Sequence, residues 1–155
     1  MNATTTGSSN TGLGFASLYT NTTGTANTAI GQDALRLNTT ASNNTAVGYQ
    51  AGYTNQTGAE SVFFGRATGY NATGSFNTLI GEEAAYYQTT ATKNCFVGYK
   101  AGYNVTTGSY NTIIGNYNGN QGGLDIRTSS NYIVLSDGDG NPRAYSTGAN
   151  SWVFN

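Results

Sequence analysis

A pair of neighbouring apolar residues followed by glycine recurs along this chain: Ala29-Ile30-Gly31, Ala46-Val47-Gly48, Phe63-Phe64-Gly65, Leu79-Ile80-Gly81, Phe96-Val97-Gly98 and Ile113-Ile114-Gly115. Polar residues fill the intervals, and most pairs follow Asn-Thr. The phrase opens at Asn10, Asn27, Asn44, Ser61, Asn77, Asn94 and Asn111. Its glycines, from Gly14 onward, stand 17 residues apart with one interval of 16. A fixed period near twenty marks stacked supersecondary units, each touching only its neighbours. The phrase predicts a short strand. Alternate strand residues point to opposite faces, so two consecutive apolar residues predict a sheet covered on both sides. One face fills the interior of a coil. The other needs cover from outside the coil, and a second copy of the chain is the simplest supplier.

The repeating Asn and Gly positions read as structural. Glycine at the strand end predicts a turn with positive φ or a contact too close for a Cβ, and stacked Asn side chains predict amide ladders along the rod. A small residue follows at Ser17, Ala34, Ala51, Ala67, Ala84 and Ala101. Each stands ten residues before the next phrase, which places the missing residue of the short interval between Gly65 and Ala67. Gln32 to Leu37 and Glu82 to Tyr87 have helix-forming composition with acids leading, so at most one short helical or 3₁₀ turn per coil is expected. Tyr19, Tyr53, Tyr86 and Tyr103 lie two residues beyond the small position, with Tyr70 one place off and Tyr49 and Tyr99 just after the strand glycine. Such a stripe reads first as coil-to-coil or chain-to-chain packing. Tyr53, Tyr86, Tyr103 and Trp152 are also the candidates for stacking on a glycan.

The period fails after Gly122-Gly123. Asn131 to Ser136 reads as a strand, Asp137 to Pro142 as a turn cluster and Arg143 to Thr147 as a returning strand. The expected layout is a flexible polar leader over 1–9, a seven-coil solenoid over 10–122 and a β-hairpin cap over 123–155. Asp137, Asp139 and Asn141 have the D-x-D-x-N spacing that opens a calcium loop. Pro142 replaces the loop glycine and Gly148 the bidentate glutamate, so this weak metal candidate reads better as a hairpin turn.

Composition narrows the chemistry. Charged residues are 8 % of the 155, against about 25 % in an average domain. Six scattered cations and a net charge of −1 argue against nucleic acid as a partner. With no histidine and one cysteine, a His/Cys zinc site, a His-based triad and an internal disulfide are excluded. Cys95 takes the place of Thr28, Thr45, Thr78 and Thr112 and reads as a small packed thiol. Glu60, Glu82 and Glu83 show no glycosidase-like convergence, and no cofactor or catalytic residue is expected. No apolar run is long enough to span a bilayer. Met1 to Gly7 has neither the charged nor the apolar region of a Sec leader. Asn-x-Thr sequons occur at Asn2, Asn21, Asn38, Asn43, Asn55, Asn71 and Asn104. Regular threonine rows raise an ice-binding option, which the irregular aromatic and charged substitutions disfavour.

The Asn-Thr-Ala-Ile-Gly and Asn-Thr-Ala-Val-Gly phrases resemble the head repeat of YadA-type trimeric autotransporter adhesins. Longer copies, such as Val47 to Gly58, are more similar to repeats of bacteriophage tail fibres. The resemblance spans about residues 10–120. It implies a homotrimer of parallel β-rolls, intertwined or side by side, although the coil here is longer than the adhesin's. The anchor and stalk of a full autotransporter are missing, which shifts the expectation toward a virion tail fibre. The expected partners are copies of itself, a host cell-surface glycan or protein, and other tail or fibre proteins, without membrane insertion. The alternatives are a bacterial surface adhesin head and, with less support, a polysaccharide-degrading fibre.

Overall fold

A computed structural model describes residues 6–147 and 151–155. The described chain is all-β, a parallel solenoid whose coils each contribute one three-residue strand. These are β1 (Thr11–Leu13), β2 (Thr28–Ile30), β3 (Thr45–Val47), β4 (Val62–Phe64), β5 (Thr78–Ile80), β6 (Cys95–Val97) and β7 (Thr112–Ile114). All seven pair in parallel and in register, so each position of the phrase stacks on its own counterpart: Thr28 on Thr45, Ala29 on Ala46, Ile30 on Val47. A two-stranded hairpin follows, β8 (Asn120–Gln121) with β9 (Leu124–Asp125). Then β10 (Ile133–Ser136) returns to the main sheet as an eighth parallel rung on β7. Antiparallel β11 (Pro142–Ser146) and β12 (Trp152–Phe154) complete a sheet of ten strands. Of the leader, the amides of Thr6 and Gly7 donate to the Thr22 carbonyl, and the Ser8 carbonyl accepts from Ala26. Residues 1–5 lie outside the described part.

The middle residue of each strand from β2 to β7, and Val134 of β10, points inward. Ala29, Ala46, Phe63, Leu79, Phe96, Ile113 and Val134 are fully buried. Across the coil they meet Leu18, Leu35, Gly52, Gly69, Ala85 and Gly102, and the sizes are reciprocal. A Cβ on Gly69 would stand 2.5 Å from the Phe63 ring, and one on Gly52 2.9 Å from the same ring. Where the strand residue is only alanine, Leu18 and Leu35 fill the space. This is the close packing expected of any protein interior, spread thinly along a rod. Tyr117 and Ile126, both fully buried, close the interior after the seventh coil. The Tyr117 hydroxyl donates to the Leu124 carbonyl at 2.8 Å.

The tract after each glycine is not helical, even where its composition favours a helix. Residues two and four beyond the glycine have positive φ: Asp33 (59°) and Leu35 (48°), Glu83 (55°) and Ala85 (54°). The amides of Ala34, Arg36 and Asn38 donate to the carbonyls of Gly31, Asp33 and Leu35. The first two are successive turns with a left-handed residue in third position, Asp33 and Leu35, the arrangement of type II turns. Among the described residues, seventeen non-glycine residues have positive φ, each costing on the order of 1 kcal/mol. The conformation persists because it turns the remaining amides toward the neighbouring coil: Leu18 to Ala34, Leu35 to Ala51, Gly52 to Thr68, Ala85 to Ala101.

The missing residue of the short interval lies elsewhere than expected. Ala67 has the left-handed φ (51°) of Gln50, so Thr68 stands where Ala51 does. The Gly65 to Tyr70 turn is therefore complete, and the loss falls between Ala72 and Gly74. Alanine was a misleading marker because that position also accepts Thr68, whose hydroxyl donates to the Gly81 carbonyl.

Candidate functional site

One ladder of asparagine side chains, with a serine in one rung, runs from coil to coil. The side-chain oxygen of Asn10 accepts the amide of Asn27 at 2.9 Å, Asn27 that of Asn44 at 3.0 Å, and Asn44 that of Ser61 at 2.9 Å. Ser61 takes the place of asparagine with its hydroxyl, accepting from Asn77 at 3.1 Å. The ladder continues from Asn77 to Asn94 and from Asn94 to Asn111, and ends on the Tyr132 amide. Each amide nitrogen donates across the coil, as Asn44 does to Gly58 and Asn94 to Gly108, both at 2.8 Å. Facing this ladder stand Asn21, Asn38, Asn55 and Gln88, all fully buried. Three sequon asparagines, Asn21, Asn38 and Asn55, are thus interior, with no room for a sugar; Asn38 donates to the Asn21 side-chain oxygen at 2.7 Å, and Asn55 bonds to Gly58 of its own coil. The glycine column beside them is equally structural. A Cβ on Gly31 or Gly48 would lie 2.5 Å from the carbonyl oxygen of the next glycine, and those on Gly81 and Gly98 would meet the same obstacle.

The first and third residues of every strand face outward and form two continuous rows. One row reads Thr11, Thr28, Thr45, Val62, Thr78, Cys95, Thr112, Ile133. The other reads Leu13, Ile30, Val47, Phe64, Ile80, Val97, Ile114, Leu135, and continues over Ala144 to Phe154. Most of the second row is exposed among the described residues: Leu13 is 66 % exposed, Phe64 54 % and Phe154 77 %, while Val47 and Val97 are half-buried and Ala144 is buried. Trp152 lies on this same face, its ring 6.2 Å from that of Phe154. Neither row contains a charged residue. The half-buried Cys95 looks outward beside Val97. The extension of the aliphatic row past the seventh coil had no signature in the repeat period.

The polar and aromatic groups gather on the turn tract instead. Tyr53, Tyr70, Tyr86 and Tyr103 stack face to face, with successive centroids 4.9, 5.1 and 5.5 Å apart. Tyr87 meets Tyr86 and Tyr103 edge-on. Arg36, which the sequence reading missed as a member, bridges the column to its start at 5.7 Å from Tyr19 and 5.9 Å from Tyr53. Tyr70 is in step, since the turn before it is complete. The stack uses the ring faces of Tyr53, Tyr86 and Tyr103 against other rings and leaves these residues half-buried. Of the eight charged residues between 6 and 122, all but Glu60 and Lys93 lie in this tract. Arg66 pairs with Glu82 and Glu83, and Lys100 with Glu83. Hydrogen bonds donated to the two carboxylates hold the Arg66 guanidinium above its usual range. Lys93 sits between Phe76 and Tyr110 as a second, smaller cation–aromatic column.

Asp137 organises the β10–β11 turn. Its carboxylate accepts the amides of Asp139 (3.0 Å) and Asn141 (2.9 Å) and the Arg143 guanidinium (2.9 Å). The Asn141 amide, with Arg143 helping, holds its pKa down to about 2. Donors of the chain itself occupy the Asp137 carboxylate, and no cluster of three metal-ligating side chains occurs among the described residues. The described surface has no enclosed pocket, and no helix is long and apolar enough to cross a membrane. What the molecule offers is two long faces, one apolar and one of stacked phenols and paired charges. Comparison with protein-family models, with curated proteins and with solved structures finds no match to this chain.

Proposed function

We propose that this chain is a structural and receptor-binding segment of a phage tail fibre, built from three copies side by side. The observation that carries the reading is the largely exposed aliphatic row from Leu13 to Phe154. A monomer rarely exposes a contiguous apolar patch beyond a few hundred Å², and this row runs the length of the molecule. Copies that hide it leave the tyrosine and charge-bearing turns facing outward. A repeated surface of that kind suits multivalent attachment to a host cell-surface glycan, where weak contacts add through effective concentration. Other tail or fibre proteins would join the assembly at its ends. The test is mass spectrometry of purified virions from the source of the chain. The reading expects its peptides in stoichiometric amounts with tail proteins, and virions free of it would contradict the assignment.

A further inference from the structure

We infer that Phe76, Lys93 and Tyr110 form a binding site for an acidic sugar, with the Lys93 ammonium taking the carboxylate and the two rings taking the pyranose. The inference rests on the reading that this chain attaches to a host glycan. It goes further, because it names the chemistry of the sugar and a place on the rod outside the tyrosine column.

The three residues hold one position in consecutive coils, just ahead of the ladder residues Asn77, Asn94 and Asn111. All three backbones are left-handed, with φ of 64°, 57° and 60°. Stacking imposes that geometry, since each amide donates to the coil before it: Phe76 to Ala59, Lys93 to Ser75 and Tyr110 to Thr92. Asparagine tolerates the conformation and stands at the same position as Asn43 and Asn131. For a bulky side chain it is a costly outlier. The interior does not repay that cost, because Phe76 is 49 % exposed, Tyr110 53 %, and Lys93 is exposed as well. Strain held by exposed side chains points to a task at the surface.

Charge narrows the ligand. Arg36, Arg66, Lys100, Arg127 and Arg143 each pair with a carboxylate. Among the described residues, Lys93 is the cation without such a partner. Its Nζ lies 5.9 Å from the Phe76 ring centre and 5.0 Å from that of Tyr110, within reach of the negative ring faces. It donates one long hydrogen bond, 3.4 Å, to the Tyr110 hydroxyl, which leaves the rest of its three N–H groups for a ligand. Glu60 holds the same position two rungs away, about 10 Å. One ammonium matches the single charge of a carboxylate better than a phosphate monoester, which carries about two. Exposed rings on either side of it suit the apolar C–H faces of a pyranose. A sugar acid, sialic or uronic, supplies both groups in one residue.

Binding of the full chain to an array of immobilised oligosaccharides tests the inference. The array carries sialylated and uronate-bearing glycans beside the same glycans without the acidic residue. The parent should be retained by the acidic members and not by their neutral counterparts, and the preferred acid separates the sialic from the uronic source. Lys93→Gln should lower retention at least about tenfold, the worth of a charge-assisted hydrogen bond, while Lys93→Arg keeps most of it. Phe76→Ala should also weaken retention, and alanine fits there because Ala26 has the same left-handed backbone, with φ of 54°. Arg127→Gln removes an equal charge from the pair with Asp125 and should leave retention unchanged. Equal retention of Lys93→Gln and the parent, or retention by neutral glycans alone, overturns this site and leaves glycan attachment in place. Retention by no glycan overturns both. A change in the mass of the Lys93→Gln assembly makes the three residues a contact between copies, which likewise overturns the site.

Discussion

At the scale of single residues, the chain is held by groups that cannot be exchanged. Gly81 has φ of 128°, and a Cβ there would run into the carbonyl oxygen of Gly98. Backbone blocks the way, so no rotamer relieves the clash. Gly81→Ala should cost at least about 3 kcal/mol, since a special φ and an overpacked contact combine. Thermal unfolding followed by circular dichroism checks this, and a variant melting within a degree or two of the parent would contradict it. Asn94 makes a comparable case through hydrogen bonds. It accepts from Asn111 and donates to Gly108 and Gln88. Asn94→Ala strands these buried partners and should cost about 2–4 kcal/mol. Asn94→Ser should recover part of the loss, because Ser61 already performs the accepting half of the task in the fourth coil. Equal stability of the two variants would mean that the ladder is not a source of cohesion.

At the scale of elements, the strands were legible in the sequence and the turns were not. A strand of three residues shows itself through the Asn-Thr-apolar-apolar-Gly phrase, because in-register stacking forces the same chemistry onto every rung. The turn tract follows a different rule, in which the backbone repeats and the side chains do not. Left-handed φ at Asp33, Gln50, Ala67, Glu83 and Lys100 leaves no common residue type to read. Helix-forming composition at Glu82 to Tyr87 was therefore misleading, and the alanine marker misplaced the missing residue. The tyrosine stripe was visible, but Arg36 within it was not, since a guanidinium takes the place of a phenol only once the stack is seen. The cap shows a local device of its own. With a folded pKa of about 2 against an ordinary 3.8, the ionised Asp137 favours the turn fully above pH 4. That contribution is lost as pH falls through about 2. Nuclear magnetic resonance of the Asp137 carboxyl should show a midpoint near 2, shifting toward 4 in Arg143→Ala. A midpoint already near 4 in the parent would remove the carboxylate from its role in the turn.

At the scale of the whole molecule, the two apolar residues of each phrase have different fates. The first fills a thin interior, and the second stands mostly exposed along the sheet. Ile80 lies in the middle of that row and is 36 % exposed. Ile80→Asp would leave the coil interior untouched and place a carboxylate where copies are expected to meet. It should therefore dissociate the assembly while the circular dichroism spectrum keeps its parent form. A chain that loses its fold on this substitution would show that Ile80 supports the coil itself. The most direct test of the account is the mass of the parent protein in solution, measured by light scattering at micromolar concentration. The account predicts about 48 kDa, three chains of 16.1 kDa. A single chain of 16.1 kDa, folded and stable with its aliphatic row open to water, would contradict it.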